Sequence, residues 1–250
     1  MNHTIQGRAF RDAYRLVFTE YLRRLRRVPA VLLGKDIFFH PTTGYHGHVE
    51  RFGSASCGWS IITDGINQDS VVYSFGVGED ASFDISLVNR FGLRVHAFDP
   101  TPKSIQWVRS QKFADQFALH EIGLAAIDGD VTFNPPEDPK HISHTILNRP
   151  STSARAISVP VRRLRTIMND LDHMHIDILK MDIEGAEYDV IDDLRATGIR
   201  PGQILVEFHH RFPDVGIAKT KAAIERLKAM GYALFSVTSN GEEFGFINKI

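Results

Sequence analysis

The sequence of 250 residues predicts an α/β fold in which a mostly parallel sheet carries helices on both of its faces. Three observations predict this class. Apolar, strand-like runs alternate with helical segments from Val71 onward. The first of these strands ends in a Gly-x-Gly turn at residues 76–78. The other polar clusters that suggest chemistry also follow predicted strands, and open α/β sheets bind their ligands at strand ends of this kind.

Length and composition fit one main domain with additions, because a chain with 43% hydrophobic residues can bury a substantial core. We predict an N-terminal helical arm and loop over residues 1–60 and the main domain over residues 61–250. The formal net charge of −1 indicates no general attraction to nucleic acid or to anionic lipid. The expected partner is therefore a small molecule.

Cysteine content and hydropathy bear on location. Cys57 is the only cysteine, which excludes an internal disulfide and a cysteine-cluster metal site and favours a reducing compartment. No apolar run approaches the roughly 20 residues that cross a bilayer. The first residues lack the apolar block of a secretory signal. We therefore predict a cytoplasmic protein with no membrane partner.

The segment from about Phe10 to Val28 has apolar side chains at near-helical spacing and several arginines close to its end. This pattern predicts an amphipathic basic helix. The helix either packs on the domain edge, with its cations near the helix C-terminus, or forms a lid over the substrate or a homodimer contact. The next stretch, Pro41–Gly58, is rich in glycine, histidine and serine, which predicts a loop.

The first half of the main domain is predicted to contain strands and helices in alternation, followed by two strand-like runs. The predicted strands are Val71–Phe75, Arg94–Phe98, Phe117–Ile122 and Ala125–Phe133, and the predicted helices are Ser82–Arg90 and Pro102–Lys112. Residues 128–130, Asp-Gly-Asp, predict a hairpin turn inside the last run. The Pro-rich stretch Asn134–Pro150 predicts a loop or insertion, and Ile157–Val161 predicts a short edge strand.

The alternation of strand and helix then resumes to the end of the chain. The predicted strands are Ile176–Met181, Gln203–Phe208, Tyr232–Thr238 and Glu243–Asn248, and the predicted helices are Glu184–Ala196 and Ala218–Met230. The last two strands follow each other closely, so we expect them to close the sheet with an antiparallel edge.

The glycine turn at residues 76–78 is the first candidate site. A strand, a Gly-x-Gly turn and a helix usually form the nucleotide-binding end of such a sheet, because glycine lets backbone approach a ligand closely. Glu79 and Asp80 follow where the pyrophosphate of a dinucleotide would meet the helix N-terminus. These carboxylates would repel phosphates and attract the ammonium and sulfonium of S-adenosylmethionine. The glycines alone also fit a dinucleotide fingerprint, with Ala81 at its third position.

Two further strand ends suggest an adenosine site. Asp99 closes the second predicted strand, 21 residues beyond Gly78, where its carboxylate suits the ribose hydroxyls of either cofactor. The other interpretation of Asp99 is a cap on the helix that follows Pro100. Gly123 and Leu124 follow the third strand, where a backbone N–H would read the adenine edge. Leu124 is otherwise simply a core residue.

The later strand ends carry the catalytic candidates. Asp182 and Glu184 follow one strand and direct charge at the cleft, or else these acids begin a helix. His209 ends the next strand, and its imidazole suits proton removal because its ordinary pKa lies near neutrality. The rival interpretation of His209 is a structural histidine, and Glu184 is the second candidate base. No histidine group has the spacing of a zinc motif, so no metal site is predicted, although Asp182 with His209 or Glu207 leaves room for magnesium.

Four motifs in this order resemble the FkbM-type methyltransferases: Phe75-Gly76-Val77-Gly78, Ala97-Phe98-Asp99-Pro100, Leu179-Lys180-Met181-Asp182-Ile183-Glu184-Gly185-Ala186-Glu187 and Val206-Glu207-Phe208-His209. The similarity spans roughly Val71 to Asn248, and residues 182–187 are its most specific part. The resemblance implies a Rossmann-like, class I, S-adenosylmethionine-dependent methyltransferase. It further implies a seven-stranded sheet with a reversed last strand, and O-methylation of a hydroxyl on a sugar or natural product.

The resulting hypothesis is direct methyl transfer from S-adenosylmethionine to a small-molecule acceptor. The catalytic candidates are His209, Asp182 and Glu184. The cofactor-binding candidates are Phe75, Gly76, Val77, Gly78, Glu79, Asp80, Asp99, Pro100, Gly123, Leu124 and Asp182. The alternatives are an NAD-dependent oxidoreductase that uses the same glycines, and a non-catalytic binding module that keeps the fold.

Overall fold

The structure, a computed structural model, describes residues 18–19, 21–42, 47–134, 156–212 and 214–249. Residues 18–19 and 21–32 are helical and form α1. The remaining described residues form a two-stranded hairpin, a seven-stranded sheet with its helices, and a three-stranded sheet. Part of the predicted N-terminal helix and residues 135–150 of the predicted Pro-rich loop lie outside the described residues.

The main sheet has the predicted architecture. Its spatial order is β11 (Tyr232–Val237), β12 (Glu243–Asn248), β10 (Gln203–Glu207), β9 (Ile178–Met181), β3 (Val72–Phe75), β4 (Val95–Phe98) and β5 (Phe117–His120). The five strands from β10 to β5 are parallel, and β12 runs antiparallel to both of its neighbours. The mostly parallel, seven-stranded sheet with a reversed last strand is therefore confirmed.

Helices cover both faces of this sheet, because side chains along each strand alternate between two hydrophobic cores. Val72 and Ile178 point into one core, together with α2 (Ser82–Phe91) and α3 (Pro102–Ser110). Tyr73 and Leu179 point into the other core, with α4 (Leu164–Asp170), α5 (Glu187–Thr197) and α6 (Gly216–Ala229). None of the helices in the described ranges is both long and apolar enough to cross a membrane.

The loop predicted over Pro41–Gly58 is wrong in part, because residues 49–52 form a strand. This strand, β1 (Val49–Phe52), pairs in antiparallel fashion with β2 (Trp59–Ile62). Two of the glycines that suggested a loop, Gly53 and Gly58, lie at the hairpin's closed end, where a Cβ on Gly53 would come within 2.8 Å of the Gly58 Cα. The hairpin docks on the main sheet through the Gln203 side chain, which bonds the backbone N–H and C=O of Ile62 at 2.8 and 2.7 Å.

The hairpin predicted at residues 128–130 is also wrong. In the small sheet β8 (Ile157–Arg162) lies between β6 (Gly123–Leu124) and β7 (Gly129–Phe133), so the strands before and after the turn do not pair. For the same reason β8 is a central strand here and not an edge strand. The Asp128 carboxylate instead accepts the Arg163 N–H and the Thr166 hydroxyl, both at 2.9 Å, at the start of α4.

Candidate active site

The glycine turn after β3 is shaped by the close approach of a second strand end. A Cβ on Gly76, whose φ is +84°, would lie 2.0 Å from the Asp182 carbonyl oxygen. The Asp182 N–H donates to the Phe75 carbonyl at 3.1 Å, which holds the two strand ends together. Gly78, with φ +60°, has only open space where a Cβ would lie. The protein's own backbone therefore requires Gly76, while room for a ligand lies at Gly78.

Lys180 stabilises this turn by bonding its backbone carbonyls, and it was not predicted as a site residue. It is buried on β9, and its ammonium donates to the Phe75 carbonyl at 3.1 Å and to the Gly76 carbonyl. The ammonium also lies 5.8 Å from the centre of the Trp59 ring. The signal in the sequence is a single cation inside an otherwise apolar strand, since burying a lysine is costly unless it is paired.

Asp99 joins the two turns at this edge of the sheet. One of its carboxylate oxygens accepts the N–H groups of Val77 and Gly78 at 3.1 and 3.0 Å. The other accepts the N–H and the hydroxyl of Thr101 at 2.9 and 2.6 Å, ahead of α3. These four donors fill about four acceptor sites, the capacity of a carboxylate. A ribose hydroxyl would therefore have to share or displace one of the bonds that Asp99 makes here.

The eleven predicted cofactor residues come together around one cavity of about 470 Å³ at the carboxyl ends of the parallel strands. They are Phe75, Gly76, Val77, Gly78, Glu79, Asp80, Asp99, Pro100, Gly123, Leu124 and Asp182. Ser56 and Cys57, from the turn between β1 and β2, also line the cavity and were not predicted. The turn of the hairpin, which lies before the predicted main domain, thus forms part of the cavity wall.

The two acids after the glycine turn have different surroundings. The Glu79 carboxylate faces the Lys103 ammonium at 3.3 Å on the surface. The Asp80 carboxylate accepts the Ser82 N–H at 2.8 Å and the Ser54 hydroxyl at 2.9 Å. Burial alone would raise the pKa of Asp80, but these hydrogen bonds lower it below its ordinary value. An ionised carboxylate therefore lies beside the cavity, attached to the β1–β2 turn through Ser54.

The turn after β9 corrects the predicted start of α5. Glu184 has φ +53° and Gly185 has φ +108°, so neither residue is helical, and the helix begins at Glu187. The Glu187 carboxylate, which is 0% exposed, accepts the N–H groups of Ile183 at 3.1 Å and Gly185 at 3.0 Å. These bonds fold the turn back on itself, and Asp182 and Glu184 of the same turn line the cavity.

His209 lies between the carboxylates of this turn and is only 8% exposed. Its Nδ1 is 2.9 Å from Glu187 Oε1, while its Nε2 is 3.4 Å from Glu184 Oε2 and 3.8 Å from Asp182 Oδ1. Burial alone would lower the pKa of His209, but these three carboxylates raise it well above the ordinary value. The three predicted catalytic residues are thus brought together, with the His209 imidazole close to the carboxylates of Asp182 and Glu184.

Further carboxylates surround this histidine. Burial and then the charge of Asp182 raise the pKa of Glu207 to about 9, although His209 acts in the opposite direction. Ligand atoms of Asp182, Glu207 and His209 lie within 4.8 Å of one another. Binding of a cation by this histidine would require the imidazole to lose its proton, because a protonated ring offers no lone pair.

Comparison with known proteins decides the family. The model of the methyltransferase FkbM domain matches residues 70–234, which is about two thirds of the chain. The chain belongs to the FkbM methyltransferase family. Every predicted site residue of this FkbM domain falls inside the matched range, whereas α1 and the β1–β2 hairpin precede it.

Similar proteins include curated relatives and solved structures. "Probable methyltransferase-like protein 24" of Homo sapiens is 29% identical over 163 residues, which cover 64% of this FkbM-family chain and 38% of that protein. The protein of the same name from Rattus norvegicus is 28% identical, over 37% of its length. This chain thus spans well under half the length of the curated relatives that it matches. The structure of methyltransferase FkbM from Methylobacillus flagellatus KT is 16% identical, with a TM-score of 0.46 over 73% of this chain and 44% of that chain.

Proposed function

We propose that this FkbM-family chain transfers a methyl group from S-adenosylmethionine to a hydroxyl of a small molecule, such as a sugar or a natural product. The observation that carries the proposal is the ionised Asp80 carboxylate at the glycine turn, beside a cavity that continues to Asp182 and Glu184. A phosphorylated dinucleotide would meet this negative charge, whereas a cofactor with an ammonium and a sulfonium is attracted by it.

The residues around the cavity suit the parts of this cofactor. Asp80 and Glu79 suit the amino-acid end, and Gly78 leaves room for close approach. Asp99 suits the ribose if one of its four internal bonds is shared, and Gly123 with Leu124 suits the adenine. The bound cofactor would supply an activated methyl group, and Asp182 and His209 are the residues that would lie on its acceptor side.

The chain's own contribution to the reaction is alignment and proton removal. Holding the acceptor oxygen in line with the methyl carbon recovers entropy that a bimolecular reaction loses. The oxygen–carbon bond forms as the carbon–sulfur bond breaks, and the hydroxyl proton passes to His209, with Glu184 as the second candidate. The positive charge of a bound cofactor near Asp182 would lower the pKa of His209 and so favour the neutral imidazole that a base requires.

The test is an assay with methyl-labelled S-adenosylmethionine and a panel of sugar and natural-product alcohols. We expect label in at least one alcohol, and we expect the rate of transfer to fall by about 10²- to 10⁴-fold when His209→Ala replaces the parent chain. Binding of the cofactor without transfer to any member of a broad panel would favour a non-catalytic module. Transfer to amines in preference to alcohols would refute the hydroxyl assignment.

Three other predictions from the sequence remain part of the proposal. They are the division of the chain at residue 60, the cytoplasmic location, and the homodimer contact through α1. Cofactor binding can test the division at residue 60, because Ser56 and Cys57 lie before that residue and line the same cavity as the FkbM residues. A chain shortened to residues 61–250 should therefore bind the cofactor more weakly than the full chain.

A further inference from the structure

A buried charged network joins the N-terminal arm to the loop that carries His209. Asp36, 5% exposed, accepts the Arg27 guanidinium through two bonds, Nε to Oδ2 at 3.0 Å and Nη2 to Oδ1 at 2.8 Å. Arg211 donates to the same Asp36 carboxylate at 3.0 Å. The His210 Nε2 lies 3.3 Å from the Asp36 carboxylate, and burial lowers the pKa of His210 below its ordinary value although Asp36 acts in the opposite direction. One carboxylate thus lies between a helix of the arm and the two residues that follow His209.

The same network includes the turn before β12. Arg27 donates to the Ser239 carbonyl at 3.2 Å, and a Cβ on Gly241 would lie 2.0 Å from the Arg27 guanidinium. Only glycine leaves room for the guanidinium at this position, which also has φ +75°. Arg211 reaches Glu242 of this turn at 2.7 Å. Arm, turn and loop are therefore fixed to one another by two arginines and Asp36.

We propose that Asp36 is a positioning residue for His209. Only one residue, His210, separates Arg211 from His209 along the chain, so the bond to Asp36 restricts where the imidazole can lie. The inference rests on the proposed function for its effect on turnover, whereas its effect on the His209 ring is independent of any catalysis.

Loss of the Asp36 charge would leave the guanidinium groups of Arg27 and Arg211 close together without the carboxylate that both of them contact. Removing one partner of a buried ion pair is strongly destabilising, because the remaining charges stay buried and uncompensated. Arg211 has Glu242 as its other carboxylate, so we expect the loop to shift toward that turn. Such a shift carries the His209 ring away from Glu187 and Glu184.

The groups that face His209 come from three elements besides its own. They are Glu187 of α5, Asp182 and Glu184 of the turn after β9, and Glu242 of the turn before β12, while Glu207 lies on the strand that leads to His209. All of them are present in an Asp36→Asn variant. Loss of the Asp36 charge would by itself lower the pKa of His209, whereas loss of the Arg211 charge would by itself raise it, so a fall of the titration midpoint in both Asp36→Asn and Arg211→Gln reports a change in the position of the ring.

The experiment compares the full-length chain with Asp36→Asn and with Arg211→Gln, which removes the same link from its half-exposed end. Asp193→Asn is the matched control, because Asp193 is buried and bonds the Arg163 guanidinium on the side of α5, outside this network. The readouts are the titration midpoint of the His209 imidazole by NMR, the binding of S-adenosylhomocysteine, and turnover. Arg211→Gln keeps the test informative should Asp36→Asn fail to fold.

We expect the titration midpoint to fall by about one pH unit or more in both network variants and to stay in place in the control. Turnover should fall about tenfold or more with little change in cofactor binding, and the double variant should cost no more than the worse single variant. An unchanged midpoint in the folded network variants would overturn the inference whatever turnover does. A lowered midpoint with full turnover would support the positioning role and refute the proposed base.

Discussion

Glu187 Oε1 lies 2.9 Å from His209 Nδ1, and the same carboxylate accepts backbone N–H groups of the turn that carries Asp182 and Glu184. A single buried side chain therefore sets the geometry between two neighbouring strand ends. It also leaves the Nε2 of His209 as the ring atom that faces the cavity side.

Replacing Glu187 by glutamine should move the pH profile of the enzyme. The Glu187 charge helps to raise the pKa of His209, so its removal lowers that pKa toward the ordinary value. A base is active when it is deprotonated, so the acidic limb of kcat/KM should move to lower pH in Glu187→Gln. The measurement is a pH profile of methyl transfer that begins at about pH 5, below the ordinary pKa of histidine, and continues into the alkaline range. An acidic limb at the same pH in both proteins would show that another group is the base.

Replacing His209 by alanine should lower kcat by about 10²- to 10⁴-fold, the usual contribution of general acid–base catalysis. The affinity for S-adenosylhomocysteine should change little, because His209 does not line the cavity that holds the predicted cofactor residues. Steady-state kinetics and calorimetry measure the two quantities separately. His175→Ala, at an exposed histidine, is the control. Equal turnover by His209→Ala and the parent chain on a true acceptor would remove His209 from this role.

The two glycines of the turn should respond differently to alanine. Gly78→Ala places a Cβ in open space and should cost only the strain of a left-handed residue, about 1–2 kcal/mol of unfolding free energy. Gly76→Ala meets the Asp182 carbonyl oxygen as well, so it should cost about 1–3 kcal/mol more. Urea unfolding of both variants checks the difference. Equal losses would contradict the close approach of β3 and β9 on which the site geometry depends.

The sheet could be predicted from the sequence because its strands are short apolar runs that end in glycine or acids. Val72–Phe75 and Ile178–Met181 are buried along their whole length, and such runs stand out without any knowledge of their partners. The strand β1 was not predicted, because it carries the charged residues Glu50 and Arg51 and buries only Phe52. The central place of β8 depends on pairing with two distant segments, which no local pattern contains.

The cavity residues could be predicted for a similar reason, since each one follows a strand whose end lies at the same edge of the sheet. The contacts that organise the site could not. The bond between Glu187 and His209 spans 22 residues, and the bond between Asp36 and Arg211 spans 175. In the sequence Glu187 is an ordinary acid at a helix start, and Asp36 and Arg211 are ordinary surface charges. Only their burial beside one another in the structure shows that they fix the position of the loop that carries His209.

Stability should fall as the pH rises through neutrality. The pKa of Glu207 is raised to about 9 in the folded protein, so the folded state binds more protons than the unfolded state between the ordinary carboxyl pKa and that value. His209 acts in the same direction, because its stabilising contribution is complete below its ordinary pKa and is lost as the pH rises through its raised folded value. The stabilising contribution of Asp36, whose pKa is lowered, is complete above its ordinary pKa and is lost only as the pH falls through the acid range.

Replacing Glu207 by glutamine should therefore flatten the decline in unfolding free energy between about pH 5 and pH 9, the interval set by these two pKa values. Denaturant unfolding at several pH values in this range measures the slope. Glu225→Gln, at an exposed glutamate of α6, is the matched control and should keep the slope of the parent chain. An equal slope in Glu207→Gln and the parent would contradict the burial of a protonated carboxyl group at the end of β10.

The most direct test of the central claim is calorimetric titration of the full chain with S-adenosylmethionine, S-adenosylhomocysteine and NAD in separate experiments. The ionised Asp80 beside the glycine turn predicts binding of the first two ligands and no measurable heat with NAD. Tight binding of NAD, with no binding of either sulfur-containing ligand, would contradict the assignment of this cavity to a methyl donor.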